Sequence, residues 1–280
     1  MVDESKMQYK PYRSGQLTNG IERSAHRALL YATGLDEEDF KKPMIAVVNS
    51  FTEMVPGHFH LKELADHVKL GIAEAGGIAR EFSTIAICDG ICQGHKGMSY
   101  PLPSRELICD SIEYMVEAHQ FDGMVLMPGC DKIVPGMLMA AMRLNIPALV
   151  VSAGPMLPGK YKGKTLTLTD MRELIGKTQT GKMSVEELLE VEKCALPGVG
   201  TCSMLGTANT MCCLAEVVGM TLPGVGLSHA VSSKKRRLAK ESGRRIVEMV
   251  KENPLFGWGI QGATEKRKQE TKEKIATGNI

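Results

Sequence analysis

Apolar and polar residues alternate in blocks along this chain. Four short apolar runs, 44–49, 84–88, 123–127 and 148–152, have the length and composition of buried strands. Each gives way to turn-forming or polar residues: Asn49-Ser50, Asp89-Gly90, Pro128-Gly129 and Gly154-Pro155. Between the runs lie stretches of helical spacing. Leu61, Leu64, Ala65, Val68 and Ile72 form one stripe, stopped by Gly76-Gly77; Ile108, Ile112, Met115 and Val116 form another, with Ser104 as the expected cap. Pro135 suits the first turn of a helix after the third run. Strand–loop–helix units repeated in this way predict an α/β fold: a parallel sheet of at least four strands with helices on both faces.

Outside these blocks the pattern is thinner. A helix is expected around 21–33, and residues 1–42 hold no catalytic cluster. Residues 158–169 read as a loop. Ser184-Val185-Glu186-Glu187 has the form of a capping box opening a helix. The glycine-rich stretch 197–211 is expected to run into a helix carrying Cys202 near its start, where helix amides favour a thiolate. Lys234-Lys235-Arg236-Arg237 opens a further helix and reads as its solvated face, and residues 265–274 read as an exposed, fraying helix.

Loops that follow successive parallel strands open on one edge of the sheet. Asn49, Asp89, Cys130, Asp131, Lys132 and Ser152 are therefore expected to converge, although far apart in sequence. Within Pro128-Gly129-Cys130-Asp131-Lys132-Ile133-Val134-Pro135-Gly136, a soft metal ligand, a hard one and an amine share a single turn. Taken alone, the triplet also fits a core thiol beside two solvated charges.

Composition narrows the partners. A chain of 280 residues can bury one large or two modest cores without disulfides. Its net charge of +2 gives no argument for nucleic acid or an anionic membrane. No apolar run reaches membrane-spanning length and residues 1–6 lack the apolar core of a secretory signal, so a cytoplasmic protein is expected. Eight cysteines without a Cys-x-x-Cys pair fit reduced thiols and metal ligation. Any cluster must then collect its ligands from distant loops.

Four local motifs carry a resemblance. They are Pro56-Gly57-His58-Phe59-His60-Leu61, the loop from Asp89-Gly90 through Gly94-His95 to Gly97-Met98, the Cys130-Asp131-Lys132 run, and Gly200-Thr201-Cys202 with Thr207-Ala208-Asn209. Over roughly residues 10 to 252 the chain resembles the dihydroxy-acid and phosphogluconate dehydratases, iron–sulfur hydro-lyases. Thr207-Ala208-Asn209-Thr210-Met211 looks closer to the dihydroxy-acid branch. The resemblance implies that Cys130 and Cys202 bind an iron–sulfur cluster, that Asp89 and Asp131 bind Mg²⁺, and that Lys132 becomes a further Mg²⁺ ligand when carbamylated. The implied reaction converts 2,3-dihydroxy carboxylates to 2-keto acids in valine and isoleucine biosynthesis. Sugar-acid or phosphogluconate dehydration, or a non-catalytic iron–sulfur or metal-binding module, are the alternatives.

Two departures qualify the transfer. Family members with a two-iron cluster carry a cysteine where this chain has Gly57, and the Pro-Gly-His variant goes with an oxygen-labile four-iron cluster, so the four-iron type is expected here. Cys88, Cys92 and Cys194 are substitutes for the third thiolate, each also readable as a structural thiol, and no third cysteine is expected to sit as well as Cys130 and Cys202. The resemblance also implies a C-terminal β-rich domain carrying the catalytic base, which is expected to lie outside these 280 residues. The base is expected beyond Ile280, and the chain alone is expected to be inactive. The expected organisation is an α/β dehydratase domain over 1–252 and a non-matching exposed or helical tail over 253–280. The expected partners are a small dihydroxy acid and either further copies of the chain or a C-terminal half.

Overall fold

The computed structural model describes residues 7–252. Its helices are α1 (Gly15–Thr18), α2 (Ser24–Ala32), α3 (Leu61–Glu74), α4 (Asp89–Cys92), α5 (Pro101–Ala118), α6 (Ile133–Leu144), α7 (Leu168–Gln179), α8 (Val185–Ala195), α9 (Thr207–Val217) and α10 (Ser233–Glu252). The strands are β1 (Met44–Asn49), β2 (Ile78–Ser83), β3 (Gly123–Met127), β4 (Ala148–Val150), β5 (Gly159–Tyr161) and β6 (Lys164–Leu166). The first four form one parallel sheet in the order β2-β1-β3-β4, and β5 and β6 form a separate antiparallel hairpin.

Side chains of a strand alternate between faces, and here both faces are buried. Met44, Ala46, Val48, Met124, Leu126, Ala148 and Val150 pack with Ile108, Ile112, Ile133 and Met137 of α5 and α6. Ile45, Val47, Val125, Met127 and Leu149 pack with Leu64, Val68, Ile246 and Val250 of α3 and α10. This double cover explains why β1, β3 and β4 read as continuous apolar runs. From β1 the chain passes first to β2 on one side and then across to β3 on the other, so the loops leaving β1 and β3 part at the sheet's carboxyl edge. Such a switch point is where open α/β sheets bind ligands.

The second strand lies earlier than the apolar pattern suggests. It is Ile78–Ser83, whereas residues 84–88 continue as irregular backbone beyond the sheet edge. An edge strand needs burial on fewer sides, so Arg80 and Glu81 are tolerated within it. Ser104 is not a cap: α5 begins at Pro101, whose missing N–H costs nothing in a first turn, and the Ser104 hydroxyl donates to the Pro101 carbonyl. Part of the expected loop 158–169 is the β5–β6 hairpin, and its end opens α7, where Thr167 and Asp170 form a reciprocal capping box. Expectations for the 253–280 tail lie outside the described residues. No helix among the described residues is long and apolar enough to cross a membrane.

Helices α3 and α10 touch backbone to backbone. A Cβ added at Gly71 would lie 1.9 Å from the Lys240 carbonyl oxygen, and one at Gly243 2.2 Å from that of Val68. Because the obstacle is main chain, no rotamer relieves it. Gly71→Ala is expected to destabilise by about 1–3 kcal/mol or more, read from denaturant midpoints at constant slope.

The basic run also departs from expectation at one position. Lys234, Arg236 and Arg237 are exposed, but Lys235 is fully buried, its Nζ donating to the Val225 carbonyl at 2.7 Å and to Ser152 Oγ at 3.1 Å. Burial pushes its pKa down to about 7 from an ordinary 10.5. Between those values the unfolded chain binds the extra proton, so this lysine makes stability rise with pH from about 7 toward 10.5, and below about 7, where both states are protonated, its contribution levels off. Thermal melts across pH 7–9.5 should show this slope in the wild type and lose it in Lys235→Met.

Candidate active site

The loop after β3 is held from the loop after β1. Buried His58 accepts the Cys130 amide on Nε2 at 2.8 Å, while its Nδ1 faces the Ser50 carbonyl at 2.8 Å and Ser50 Oγ at 2.9 Å. The Ser50 hydroxyl donates to the Met127 carbonyl at 2.6 Å. These bonds require a neutral ring with its proton on Nδ1, and burial holds the His58 pKa down at about 4. The imidazole is thus a strut between the two loops that part at the switch point. Gly129 lets them meet: a Cβ there would lie 2.5 Å from the Gly57 carbonyl oxygen and 2.7 Å from His58 Nε2.

A third loop is threaded between them. The Gly200 amide donates to Pro56 O, the Thr201 amide to Gly154 O, and Thr201 O accepts from the Met156 amide, at 2.8–2.9 Å. Buried Asn209 then clamps the stretch, its amide donating to the Cys202 and Met204 carbonyls at 2.7 and 2.6 Å and its oxygen accepting from Thr201 Oγ1 at 2.6 Å. Cys202 accordingly lies in the loop ahead of α9, five positions before its first residue, Thr207, and not on the helix. Helix amides do not lower its pKa. Burial, Asp131 and Cys88 instead push the thiol up.

Together these loops enclose a cleft of about 230 Å³ lined by Cys88, Asp89, Cys130, Asp131, Cys202 and the N-terminal residues of α9, with Leu168 and Arg172 of α7 at its side. The structure therefore brings together the site residues expected from sequence, with Lys132 Nζ on Asp89 Oδ2 at 2.7 Å. Asn49 and Ser152 do not join them. Asn49 donates to Glu81 and to the Leu61 carbonyl, and Ser152 is taken by Lys235, so both are spent on holding the sheet and its helices.

The cleft is crowded with negative groups. Burial, and then Asp89, raise the Asp131 pKa, although its Oδ1 accepts from the Ala208 amide at 3.0 Å on the first turn of α9. The other carboxylate has an orphan: Asp89 Oδ1 is buried with no hydrogen-bond partner. An unpaired buried carboxylate oxygen is costly, and a cation removes the cost. The Asp89 and Asp131 oxygens and the Lys132 amine fit Mg²⁺, which prefers hard oxygen donors, once a carbamate stands on the lysine.

Three thiols share the cleft, which corrects the expectation of two. Cys88 stands at the cap of α4; the neighbouring Cys130 thiol holds its pKa down at about 6, while Cys88 and burial keep Cys130 well above the ordinary thiol range. Free thiols converging from separate loops suit iron–sulfur ligation, where each sulfur meets a different iron. They are not drawn in as around one small ion. Among the described residues the group of three ligand atoms within 4.8 Å of one another is Cys109, Asp110 and Glu113, and Arg143 already pairs with those two acids.

His58, Asn209 and Arg172 are the site residues that sequence reasoning did not assign. The first two lie inside recognisable motifs, so their positions were marked and their roles were not. Arg172 reaches the cleft only because α7 folds over it, with its guanidinium on the Gln93 side chain at 2.6 Å.

Residues 42–261 match the family profile described as dihydroxy-acid/6-phosphogluconate dehydratase N-terminal. The chain is 56% identical over 241 residues to a dihydroxy-acid dehydratase of Methanothermobacter thermautotrophicus, covering 86% of this chain and 44% of that protein. A protein of the same name from Halothermothrix orenii is 55% identical over 240 residues, with the same coverage. One from Methanosphaera stadtmanae is 54% identical over 238 residues, 85% of this chain and 43% of that protein. The chain thus spans less than half the length of these relatives. With well over half its residues aligned to that profile, the chain belongs to the dihydroxy-acid/6-phosphogluconate dehydratase family.

Proposed function

We propose that this chain is the N-terminal part of a dihydroxy-acid dehydratase, with residues 1–252 as its α/β domain and 253–280 as a tail. It would act with a C-terminal half that completes the site. The observation that carries this reading is the meeting of three thiols with the Asp89 and Asp131 carboxylates at the sheet's switch point. The names of the relatives, at 54–56% identity, support the dihydroxy-acid branch. Exposed Leu205, Leu214, Val217 and Val218, on and beside α9, offer an apolar surface for the other half or for a second copy.

The reaction removes water from a 2,3-dihydroxy carboxylate: C2 loses a proton, C3 loses hydroxide, and the resulting enol tautomerises to a 2-keto acid with no net redox change. A bound cluster would supply Lewis acidity toward the departing hydroxyl, and Mg²⁺ would supply positive charge toward the carboxylate end. The chain's own residues position and neutralise. Cys130 and Cys202 would hold the cluster, Asp89, Asp131 and carbamylated Lys132 the Mg²⁺, and His58 and Asn209 keep the two cysteine loops in register.

Calorimetric titration tests the metal assignment. Asp89→Asn and Asp131→Asn should each weaken Mg²⁺ binding about 10-fold or more, because each removes one of the two carboxylate charges of the site. Unchanged affinity in both would remove it. A keto-acid assay of the complemented enzyme should show turnover of branched dihydroxy acids; activity on sugar acids alone would move the chain to the other branch.

A further inference from the structure

Gly57 provides no ligand, so a cluster held by Cys130 and Cys202 lacks a thiolate. The vacancy lies inside the site, since a Cβ built on Gly57 would approach Cys130 Sγ to 3.0 Å. On another wall of the same cleft stands Cys88, which no motif of the resemblance marks as a ligand.

Three observations bear on Cys88. Its side chain lines the cleft with Cys130 and Cys202, its sulfur 3.7 Å from a Cβ built on Gly90, another lining residue. The Ile91 and Cys92 amides donate to its carbonyl at 3.1 Å, which fixes Cys88 as the cap of α4 at the cleft wall. It also adjoins Asp89, so one short segment beyond β2 would serve the cluster and the Mg²⁺ site together.

The rival cysteines are placed elsewhere. Cys92 lies one turn further along α4 and does not line the cleft. Cys194 is on α8, its thiol donating to the Val191 carbonyl at 3.3 Å. Cys109 and Cys212 are buried among apolar residues of α5 and α9.

We propose that Cys88 is the third cluster ligand, replacing the thiolate absent at Gly57, so that the cluster is held by Cys88, Cys130 and Cys202. This rests on the reading of the cleft as a cluster site. On a four-iron cluster, three thiolates would leave one iron free to supply Lewis acidity toward the substrate hydroxyl.

The test is anaerobic reconstitution of the 280-residue chain with iron and sulfide, comparing wild type with Cys88→Ser, Cys92→Ser and Cys130→Ser. Iron and acid-labile sulfide per chain, visible charge-transfer absorption and the electron paramagnetic resonance of the reduced cluster are read. Cys88→Ser and Cys130→Ser should lose iron to a chelator about 10-fold faster than wild type, with altered spectra, and Cys92→Ser should match wild type. Should Cys88→Ser fail to fold, thiol footprinting of the wild type decides: alkylation of Cys88 should be blocked in the loaded protein and open in the apo protein. A Cys88→Ser variant with wild-type iron, sulfide and spectra, beside a depleted Cys130→Ser, overturns the assignment and leaves the cluster reading standing. Equal alkylation of Cys88 in both forms does the same. A wild type that takes up no cluster overturns both.

Discussion

Loaded anaerobically with iron, sulfide and Mg²⁺, the 280 residues alone are expected to turn over a dihydroxy acid about 10²–10⁴-fold more slowly than the same chain mixed with a C-terminal half. That range is the usual worth of a positioned proton acceptor, and the cleft offers none to spare. Among the described residues lining it there is no histidine, glutamate or serine. Asp89 is engaged with Lys132, and Asp131 with the Ala208 amide. Using either as a base would take it from the proposed Mg²⁺ site. The relatives carry more than half of their length outside the matched stretch, which leaves room for the missing group. Keto-acid formation by the loaded chain, with and without the complementing half, is the measurement. Equal rates would mean that a base within these residues had gone unrecognised.

Gly129→Ala should destabilise the fold by about 1–3 kcal/mol and deplete the bound cluster. The added Cβ would sit 2.5 Å from the Gly57 carbonyl oxygen and 2.7 Å from His58 Nε2. Neither neighbour can retreat freely. The His58 ring is fixed by Ser50, which is fixed by the Met127 carbonyl at the end of β3, and Pro56, just before Gly57, receives the Gly200 amide. The loop carrying Cys130 must move instead, which breaks the His58–Cys130 bond and leaves a buried ring nitrogen and an amide without partners. Thermal melts of the apo proteins and iron content after reconstitution check both halves of the claim. Gly176 on α7, where an added Cβ meets nothing within 4 Å, is the control; its change to Ala should leave both nearly unchanged or raise stability slightly.

The candidate site was unevenly legible. Cys130, Asp131 and Lys132 stand side by side in one turn, and Asp89 opens a loop directly after an apolar run, so their gathering followed from parallel topology. Cys88 was visible as a cysteine but not as a neighbour. Its place beside Cys130 in the cleft depends on residues 84–88 leaving the sheet as irregular backbone, and a strand placed over those residues conceals that path. Cys202 failed in the opposite sense. A glycine-rich loop before a helix suggested stabilising amides, whereas the chain turns early and sets the sulfur near the Asp131 carboxylate and the Cys88 thiol.

What the sequence determined by itself is the layered frame. Strands buried on both faces must be apolar throughout, and helices covering them must carry a stripe at helical spacing, so β1, β3, β4, α3, α5 and α6 are written in local pattern. Local pattern does not reach pairwise distance. The β2 edge strand looks polar because an edge demands less burial, and Lys235 looks like its solvated neighbours until β4 and the 225 loop close over it. The role of His58 exists only where the loops after β1 and β3 part. Tertiary structure decided these because each depends on which segments, tens of residues apart, share one volume, and that is settled by packing the whole sheet between its two helix layers.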